Sequence, residues 1–507
     1  MNLIGLDIGT TGCKASLFAD DGQLLGSASR EYPVDIPQPG WAEQDAERVW
    51  CLAQEALRQA LAAAGVSRVE ALGLSVQGEA VLPVDADGLA LRPAILGMDT
   101  RTGDQNKWLS ERVGAKYLFR HTGMPVHTIN TLPKLLWLKQ NEPEVWKQAT
   151  HFRLYEDFLI QKMTSKALIS RCLASRTQLF DLSADDWSDR ILQAIQLDRR
   201  RLSTVSPSGV AAGEMLQELA EGLGLKNRPL VVTGGHDQAC GALGCGLTRP
   251  GLSMVSTGTA EVMEVALATP VLTPSLERRN ISVYAHVVPG LYLAMALNHS
   301  GGLVLRWFRD TFCEEEMRTA EASHQDPYDL IFEGADRDPS PLLLLPHFAG
   351  SGTPDFDTQS KGALIGLTFA TTKQDIAKAI LEGLTFELRC NLEVFKAGHI
   401  DIQELRAIGG GARSKLWLQI KADVTGIPVR VPKITESASW GAAILGGVAA
   451  GCFASILEGA ERSLQFEAVV APDPHQQARY EPRYHLYRSL YPLLKPVLHE
   501  VGEVKRM

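Results

Sequence analysis

Leu3-Ile4-Gly5-Leu6-Asp7-Ile8-Gly9-Thr10-Thr11-Gly12-Cys13-Lys14-Ala15-Ser16-Leu17-Phe18-Ala19 is the stretch on which the reading of this chain turns. Leu3 to Ile8 is a nearly continuous apolar run, as a central strand would be. Gly9-Thr10-Thr11-Gly12 turns the chain, Lys14 to Ala19 resumes a strand pattern, and Asp20-Asp21-Gly22 turns it again. Glycines at a hairpin tip let backbone N–H groups approach an anion with no Cβ in the way. Thr10 and Thr11 add hydroxyl donors and Lys14 a positive charge, while Asp7 at the strand end can hold a hydrated magnesium ion beside the same anion. The loop is not a Walker A loop, since GxxxxGK[ST] is absent. Taken alone, it reads equally well as an ordinary hairpin rich in Gly and Thr.

The same device recurs downstream. Ala46 to Ala64 has helical spacing and Val69 to Val76 reads as a strand. A second unit begins near Gly251, where Ser253–Ser256 and Ala260–Ala266 read as strands around Ser256-Thr257-Gly258-Thr259. Gln374–Cys390 reads as a helix and Leu405–Ile408 as a short buried strand. Two small-residue hairpins, each opening an α/β domain, point to a nucleotide gripped from both sides of a cleft. The joint is placed between Gly246 and Ser253, at the turn Arg249-Pro250-Gly251. The expected domains are 1–247, 252–475 and a helical tail over 476–507.

Composition narrows the class. The chain has 507 residues, 45% hydrophobic and 21% charged, with a formal charge of −9. This length calls for more than one domain. The acidic balance and the lack of a basic stripe exclude a global attraction for nucleic acid or anionic membranes. No signal peptide is expected at Met1–Asp7, and no apolar run reaches the roughly 18 residues of a membrane span. The eight cysteines form no CxxC pair and no zinc-type cluster, so they read as buried thiols of a cytoplasmic protein. Whether the chain forms a homodimer is left open.

Two further motifs carry chemistry. Gly234-Gly235-His236-Asp237-Gln238 follows the apolar run Leu230–Val232 and precedes a small-residue helix. Asp237 at such an edge can take a proton from a substrate hydroxyl, or can simply cap the helix. His236 reads as a packed neighbour. Ile408-Gly409-Gly410-Gly411-Ala412-Arg413-Ser414 offers bare backbone to an adenine or a phosphate, or serves as a tight strand–helix turn.

Across nearly its whole length the chain resembles the FGGY carbohydrate kinases. Thr131-Leu132-Pro133-Lys134-Leu135-Leu136-Trp137-Leu138-Lys139-Gln140-Asn141 is similar to that family's first signature, with Ile129 departing at its first position. Gly362-Ala363-Leu364-Ile365-Gly366-Leu367, with Asp375-Ile376 and Ala379-Ile380-Leu381-Glu382, resembles the second. The resemblance implies an α/β fold of two actin-like, ribonuclease-H-like domains with a nucleotide cleft between them. It implies ATP and Mg2+ as cofactors, and a small sugar or polyol as partner. By resemblance, Thr10, Thr11, Lys14, Thr259, Gly302, Gly410 and Gly411 contact nucleotide, Asp7 the metal, and Asp237 acts as general base. Gln77, Glu79, Asp99, Arg101 and Gln238 stand at substrate positions.

Gly78, Gly97, Ser170 and Leu173 depart from the family's usual residues and are expected to enlarge or reshape the sugar pocket. The expected activity is transfer of a phosphoryl group from ATP to a terminal hydroxyl of a ketose such as xylulose. Ribulose, a deoxyketose, glycerol, a tetritol or gluconate are alternative acceptors. A non-enzymatic actin-like ATP-binding protein is the rival, and the polar set in the cleft argues against it. A dinucleotide-dependent oxidoreductase lacks the helix and acidic ribose contact it would need after Gly12.

Overall fold

The computed structural model describes residues 1–335 and 338–504. In the first half, β1 (Asn2–Ile8), β2 (Gly12–Ala19), β3 (Leu24–Glu31), β4 (Ala71–Val76), β5 (Ala211–Glu214) and β6 (Leu230–His236) form one sheet. Its order is β5-β6-β4-β1-β2-β3, with β1–β2 antiparallel and β1–β4 and β4–β6 parallel. Register places Asp7 opposite Lys14 on β2 and beside Ser75 on β4. Cross-strand neighbours share a face, so the three polar groups gather at one end of an otherwise apolar sheet.

The second half repeats this path. Its strands are β7 (Leu252–Thr257), β8 (Glu261–Leu267), β9 (Ser282–Ala285), β10 (Tyr292–Asn298), β11 (Glu404–Ile408), β12 (Val429–Pro432) and β13 (Phe466–Val470). The order β9-β10-β8-β7-β11-β12-β13 again has a hairpin, a third antiparallel strand, two parallel strands and an antiparallel edge, with β9 added. Each hairpin tip therefore lies beside the C-terminal ends of parallel strands, where α/β folds bind ligands.

Helices cover both sheets. α1 (Ala46–Ala64) starts at Asp45, whose carboxylate accepts the Glu47 and Arg48 N–H groups, and stops at left-handed Gly65. Its Val49, Ala53, Ala56, Leu57 and Ala60 recur at helical spacing and are buried. α2 (Thr131–Asn141) belongs to the first half. α3 (Asp237–Gly244) follows β6 directly, and His236, not Asp237, occupies the cap position. α4 (Lys373–Ala397) is longer than the expected Gln374–Cys390, running from a Thr372/Asp375 capping box to Gly398.

α5 (Ser437–Ala449) is almost wholly buried and comes from the second half, yet it packs on β1, β4 and β6 of the first. It also crosses α3, which itself leans on β8. A Cβ on Gly5 or Gly73 would overlap the α5 carbonyls of Ser439 or Ala442. A Cβ on Gly244 would overlap the Ser437 carbonyl, and one on Gly441 the Cys240 carbonyl. Backbone therefore lies against backbone along this seam. Leu3, Phe18, Val232, Leu243, Met254, Tyr284, Trp440 and Ile444 make one core from both halves.

The helix expected as a tail from Gln476 is α6 (Pro474–Val504). Its Tyr480, Tyr484 and Tyr487 pack on Phe386 of α4, so it is part of the second half's core. All eight cysteines are free thiols; Cys51 is exposed and Cys390 half-buried, against the expectation that all are buried. Among the described residues no helix is long and apolar enough to cross a membrane.

A methyl group at Gly73 has no room to move into. Gly73→Ala should lower stability by about 1–3 kcal/mol, as overpacking typically does. Gly103→Ala, where a Cβ meets nothing within 4 Å, should leave the urea midpoint nearly unchanged. Parallel urea denaturations compare the two.

Candidate active site

A groove of about 210 Å3 runs between the halves, with Asp7, Asp237 and Gln238 on one wall and Ser256, Gly409 and Glu436 on the other. A larger hollow of about 550 Å3 lies elsewhere, beside Arg171, Arg199 and Arg200. Those arginines are already paired with Asp185, Asp186 and Asp198, and the hollow brings in nothing from the second half's strand ends. The groove, not the larger hollow, has the chemistry.

Asp7 closes β1, and its Oδ1 accepts the Ser75 hydroxyl at 2.6 Å. Burial pushes its carboxyl up to about 6, against Ser75, which favours the ionised form, while the charge of Glu436 adds to the rise. Asp237 opens α3 at the same end of the sheet. Its Oδ1 accepts the Gln238 N–H at 2.6 Å, a contact within its own first turn and not the N2 or N3 bond of a cap. Burial first, then the charge of Asp7, raises Asp237 to about 7. Gln238 turns a buried Oε1 without a partner toward the same wall.

The two hairpins behave differently. The N–H groups of Thr10 and exposed Thr11 donate to no protein group among the described residues, while the Thr10 carbonyl is held by Gln44 Nε2 at 2.7 Å. These free donors suit an anion. Lys14 lies across the groove on Glu436, 3.0 and 2.9 Å from its two oxygens. An incoming phosphate would have to take Lys14 from that carboxylate. Thr259 is exposed at the second hairpin. Gly302, expected to contact nucleotide, gives its N–H to the Gly258 carbonyl at 2.8 Å, so it braces the hairpin and has no backbone donor left for phosphate. Gly410 faces open space, whereas Gly411 lacks a Cβ because Thr257 stands there.

Comparison with known proteins follows this geometry. Residues 2–244 match the model of the FGGY family of carbohydrate kinases, N-terminal domain, and residues 253–450 the C-terminal domain. This chain belongs to the FGGY family of carbohydrate kinases. It is 32% identical over 503 residues to an autoinducer-2 kinase of Escherichia coli, covering 96% of this chain and 94% of the relative. A xylulose kinase of Staphylococcus epidermidis is 30% identical over 501 residues, 96% of each chain. The crystal structure of a xylulose kinase from Rhodospirillum rubrum superposes with TM-score 0.87 at 27% identity, over 98% of this chain and all of that one. The chain is thus an ATP-dependent carbohydrate kinase, and the non-enzymatic alternative loses its ground.

In this FGGY kinase the residues expected at substrate positions are held mostly by protein partners. Gln77 is buried, and its amide bonds Gln44 Oε1 at 2.9 Å and the Gly9 carbonyl at 3.2 Å. It ties the first hairpin to Gln44, and its amide N–H groups are engaged within the protein. Asp99 is fully buried, accepting the Ala42 N–H and the Arg101 guanidinium. Arg101 in turn pairs with Glu43 at 2.8 Å and stacks on Trp41 and Trp137, 3.7 and 4.8 Å from the ring centres. The pair is a structural clamp. A carboxylate and a guanidinium two residues apart pair strongly when aromatic walls exclude water, though Arg101 Nη1 stays buried without a partner.

Glu79 sits at φ 59°, a conformation non-glycine residues rarely adopt. Its carbonyl accepts Thr131 Oγ1 and the Lys134 ammonium, each at 3.1 Å, and its carboxylate accepts Arg176 Nε at 2.6 Å. Lys134 and Arg176 were not singled out from sequence. A lone lysine inside the apolar Leu132–Leu138 run was the available signal for the first. Burial drives Lys134 down to about 7, against the opposing charges of Glu79 and Asp99. Gly78 does not open a hole as expected: a Cβ there would stand 2.7 Å from His236 Cδ2, so the imidazole fills the space. A Cβ on Gly97 would be in ordinary contact, 3.5 Å from Glu79 Oε2 and 3.6 Å from Ile129 Cγ1, so that position is nearly filled as well. Ser170 caps the helix Arg171–Ser175, accepting the Leu173 N–H at 3.1 Å, and Leu173 is core.

Lys134→Met should release the Glu79 loop. The KM for the acceptor is expected to rise about tenfold while the KM for ATP stays put, because the change removes acceptor-side order alone. Steady-state titration of each substrate reads the two values separately.

Proposed function

We propose that this kinase transfers the γ-phosphoryl group of magnesium-ATP to a terminal hydroxyl of a small open-chain ketose of the xylulose type. Asp237 is the general base. The observation that carries this is the position of Asp237: it opens α3 on the groove wall beside Asp7, facing the second half's strand ends.

The acceptor oxygen attacks the γ-phosphorus, its proton passes to the Asp237 carboxylate, and the bond to the β-phosphate bridging oxygen breaks to release ADP. The free N–H groups of Thr10 and Thr11 receive phosphate oxygens, and Lys14 exchanges Glu436 for phosphate. No cluster of three His, Cys, Asp or Glu groups that could hold a metal occurs among the described residues. Asp7 fits a hydrated cation, since a nearby positive charge would relieve the burial that pushes its carboxyl up. Magnesium carried on the phosphates would neutralise charge there. Glu79, set by Lys134 and Arg176, meets the hydroxyls of the acceptor, and Gln238 adds a polar contact beside the base. Relatives named for xylulose and for autoinducer-2 support a ketose-like acceptor. The cytoplasm, where ATP is made available, is the proposed compartment.

A coupled ADP-release screen over ketoses, polyols, sugar acids and autoinducer-2 tests the acceptor class. Turnover on a ketose of about four to six carbons is expected, and turnover on glycerol or gluconate alone would overturn the ketose reading. Asp237→Asn should cost about a hundredfold or more in kcat, the range of a lost general base, with melting temperature little changed. Because a base acts only when ionised and burial raises Asp237 to about 7, activity should climb with pH through neutrality. A pH profile over that range checks the sign.

A further inference from the structure

Behind Asp237 lies a line of buried groups that the phosphoryl transfer does not use. His236 Nε2 is 3.3 Å from Asp237 Oδ1, a close contact that is not aligned as a hydrogen bond. On the other side of the ring, Nδ1 is 3.4 Å from the Tyr284 hydroxyl, which donates to Glu264 Oε1 at 2.6 Å. Asp237 is about a quarter exposed to the groove, and His236, Tyr284 and Glu264 are buried. Gly78 gives the imidazole its seat. The line also crosses the seam: Asp237 and His236 come from the first half, Tyr284 on β9 and Glu264 on β8 from the second.

We propose that His236, Tyr284 and Glu264 form a proton relay that takes the acceptor's proton from Asp237 into the interior. The proposal rests on Asp237 being the base. When the Asp237 carboxyl turns onto the imidazole, its proton passes to His236 Nε2, the Nδ1 proton to the Tyr284 oxygen, and the Tyr284 proton to Glu264 Oε1. Three O–H or N–H bonds form and three break. Asp237 is again a carboxylate, Glu264 is a carboxylic acid, and His236 and Tyr284 stay neutral. No imidazolium or phenolate arises, which suits groups whose burial disfavours both charges. The proton returns by the same route when the groove opens.

The far end is built to receive it. Glu264 Oε2 is buried without a hydrogen-bond partner, as befits a carboxyl that is protonated for part of the cycle. Burial pushes Glu264 up to about 8, with Tyr284 and Arg176 pulling down and Asp237 and Glu79 pushing up. Arg176 lies over the Tyr284 ring at 4.6 Å, and Cys172 is the remaining titratable neighbour of Tyr284. Since the relay is joined only while the halves touch as they do here, it couples the base to closure.

The test is the single-turnover rate in mixtures of H2O and D2O, with magnesium-ATP and the best acceptor of the screen, D-xylulose being tried first. The unaltered enzyme should show a curved dependence on deuterium fraction, from more than one proton in flight. Tyr284→Phe and the isosteric Glu264→Gln should make it linear and slow the step about tenfold, less than loss of the base itself. Glu264→Gln keeps the question open to test where Tyr284→Phe fails to fold. A linear dependence in the unaltered enzyme, or wild-type rate and curvature in folded Glu264→Gln, overturns the relay. If that happens while Asp237→Asn is inactive, the base reading survives. A fully active Asp237→Asn removes both.

Discussion

Bare-backbone contact along α5 is the constraint on which this molecule rests. α5 belongs by sequence to the second half but lies on the first sheet, where it crosses α3 at the end of β6. Glycines at 5, 73, 244 and 441 let carbonyls occupy space that any side chain would fill. Neither half completes its core alone, because the residues of the seam come from both. The same contact sets the chemistry: Asp237 opens α3 and Glu436 immediately precedes α5, so the packing that joins the halves also fixes where both carboxylates stand.

Two influences compete on Asp237. A helix N-terminus favours a negative charge by roughly 0.3–1 kcal/mol, less than one unit of pKa. Burial acts the other way and dominates, leaving the carboxyl near 7. A carboxylate held there accepts a hydroxyl proton far more readily than one in open solvent. Asp7 and Glu436 make the groove still more negative, and a polyphosphate enters such a groove only with cations. Lys14 is the resident one. Its bond to Glu436 is partly exposed on both sides, and pairs of that kind contribute roughly 0–1 kcal/mol, so a phosphate can displace the carboxylate at little cost.

Much of this was legible in the chain and some was not, for physical reasons. α1 was read from Ala46 to Ala64 by its helical spacing, and the structure ends it at the Asp45 cap and at Gly65. Both hairpins were legible because apolar runs and small-residue turns are local signals. α4 was cut short at Cys390 although no breaker occurs before Gly398. The seating of α5 on the first sheet left no local trace. At the site, Asp7 and Asp237 do face one groove. Asp99 and Arg101 were placed at acceptor positions by family resemblance, and their seat against Trp41 and Trp137 was not legible because those rings are distant in sequence. Lys134 and Arg176 were missed for the matching reason: a buried cation is explained only by partners that folding brings to it.

Glu79 shows how the acceptor side differs from the nucleotide side. Its left-handed backbone costs about 1–2 kcal/mol. Hydrogen bonds to charged groups contribute roughly 1.5–3 kcal/mol each, and Glu79 has them from Lys134 and Arg176, with Thr131 in addition. The balance favours a single arrangement before any ligand arrives. Lys14 has the opposite character, half-exposed and held by a weak bond that phosphate can replace. The Glu79 loop is therefore preorganised, whereas Lys14 is held so that it can exchange partners. The seam between the halves is where the two meet, since Arg176, which fixes Glu79, also lies over Tyr284 of the second half. A shift of one half against the other would therefore disturb Glu79 and the neighbourhood of Asp237 together.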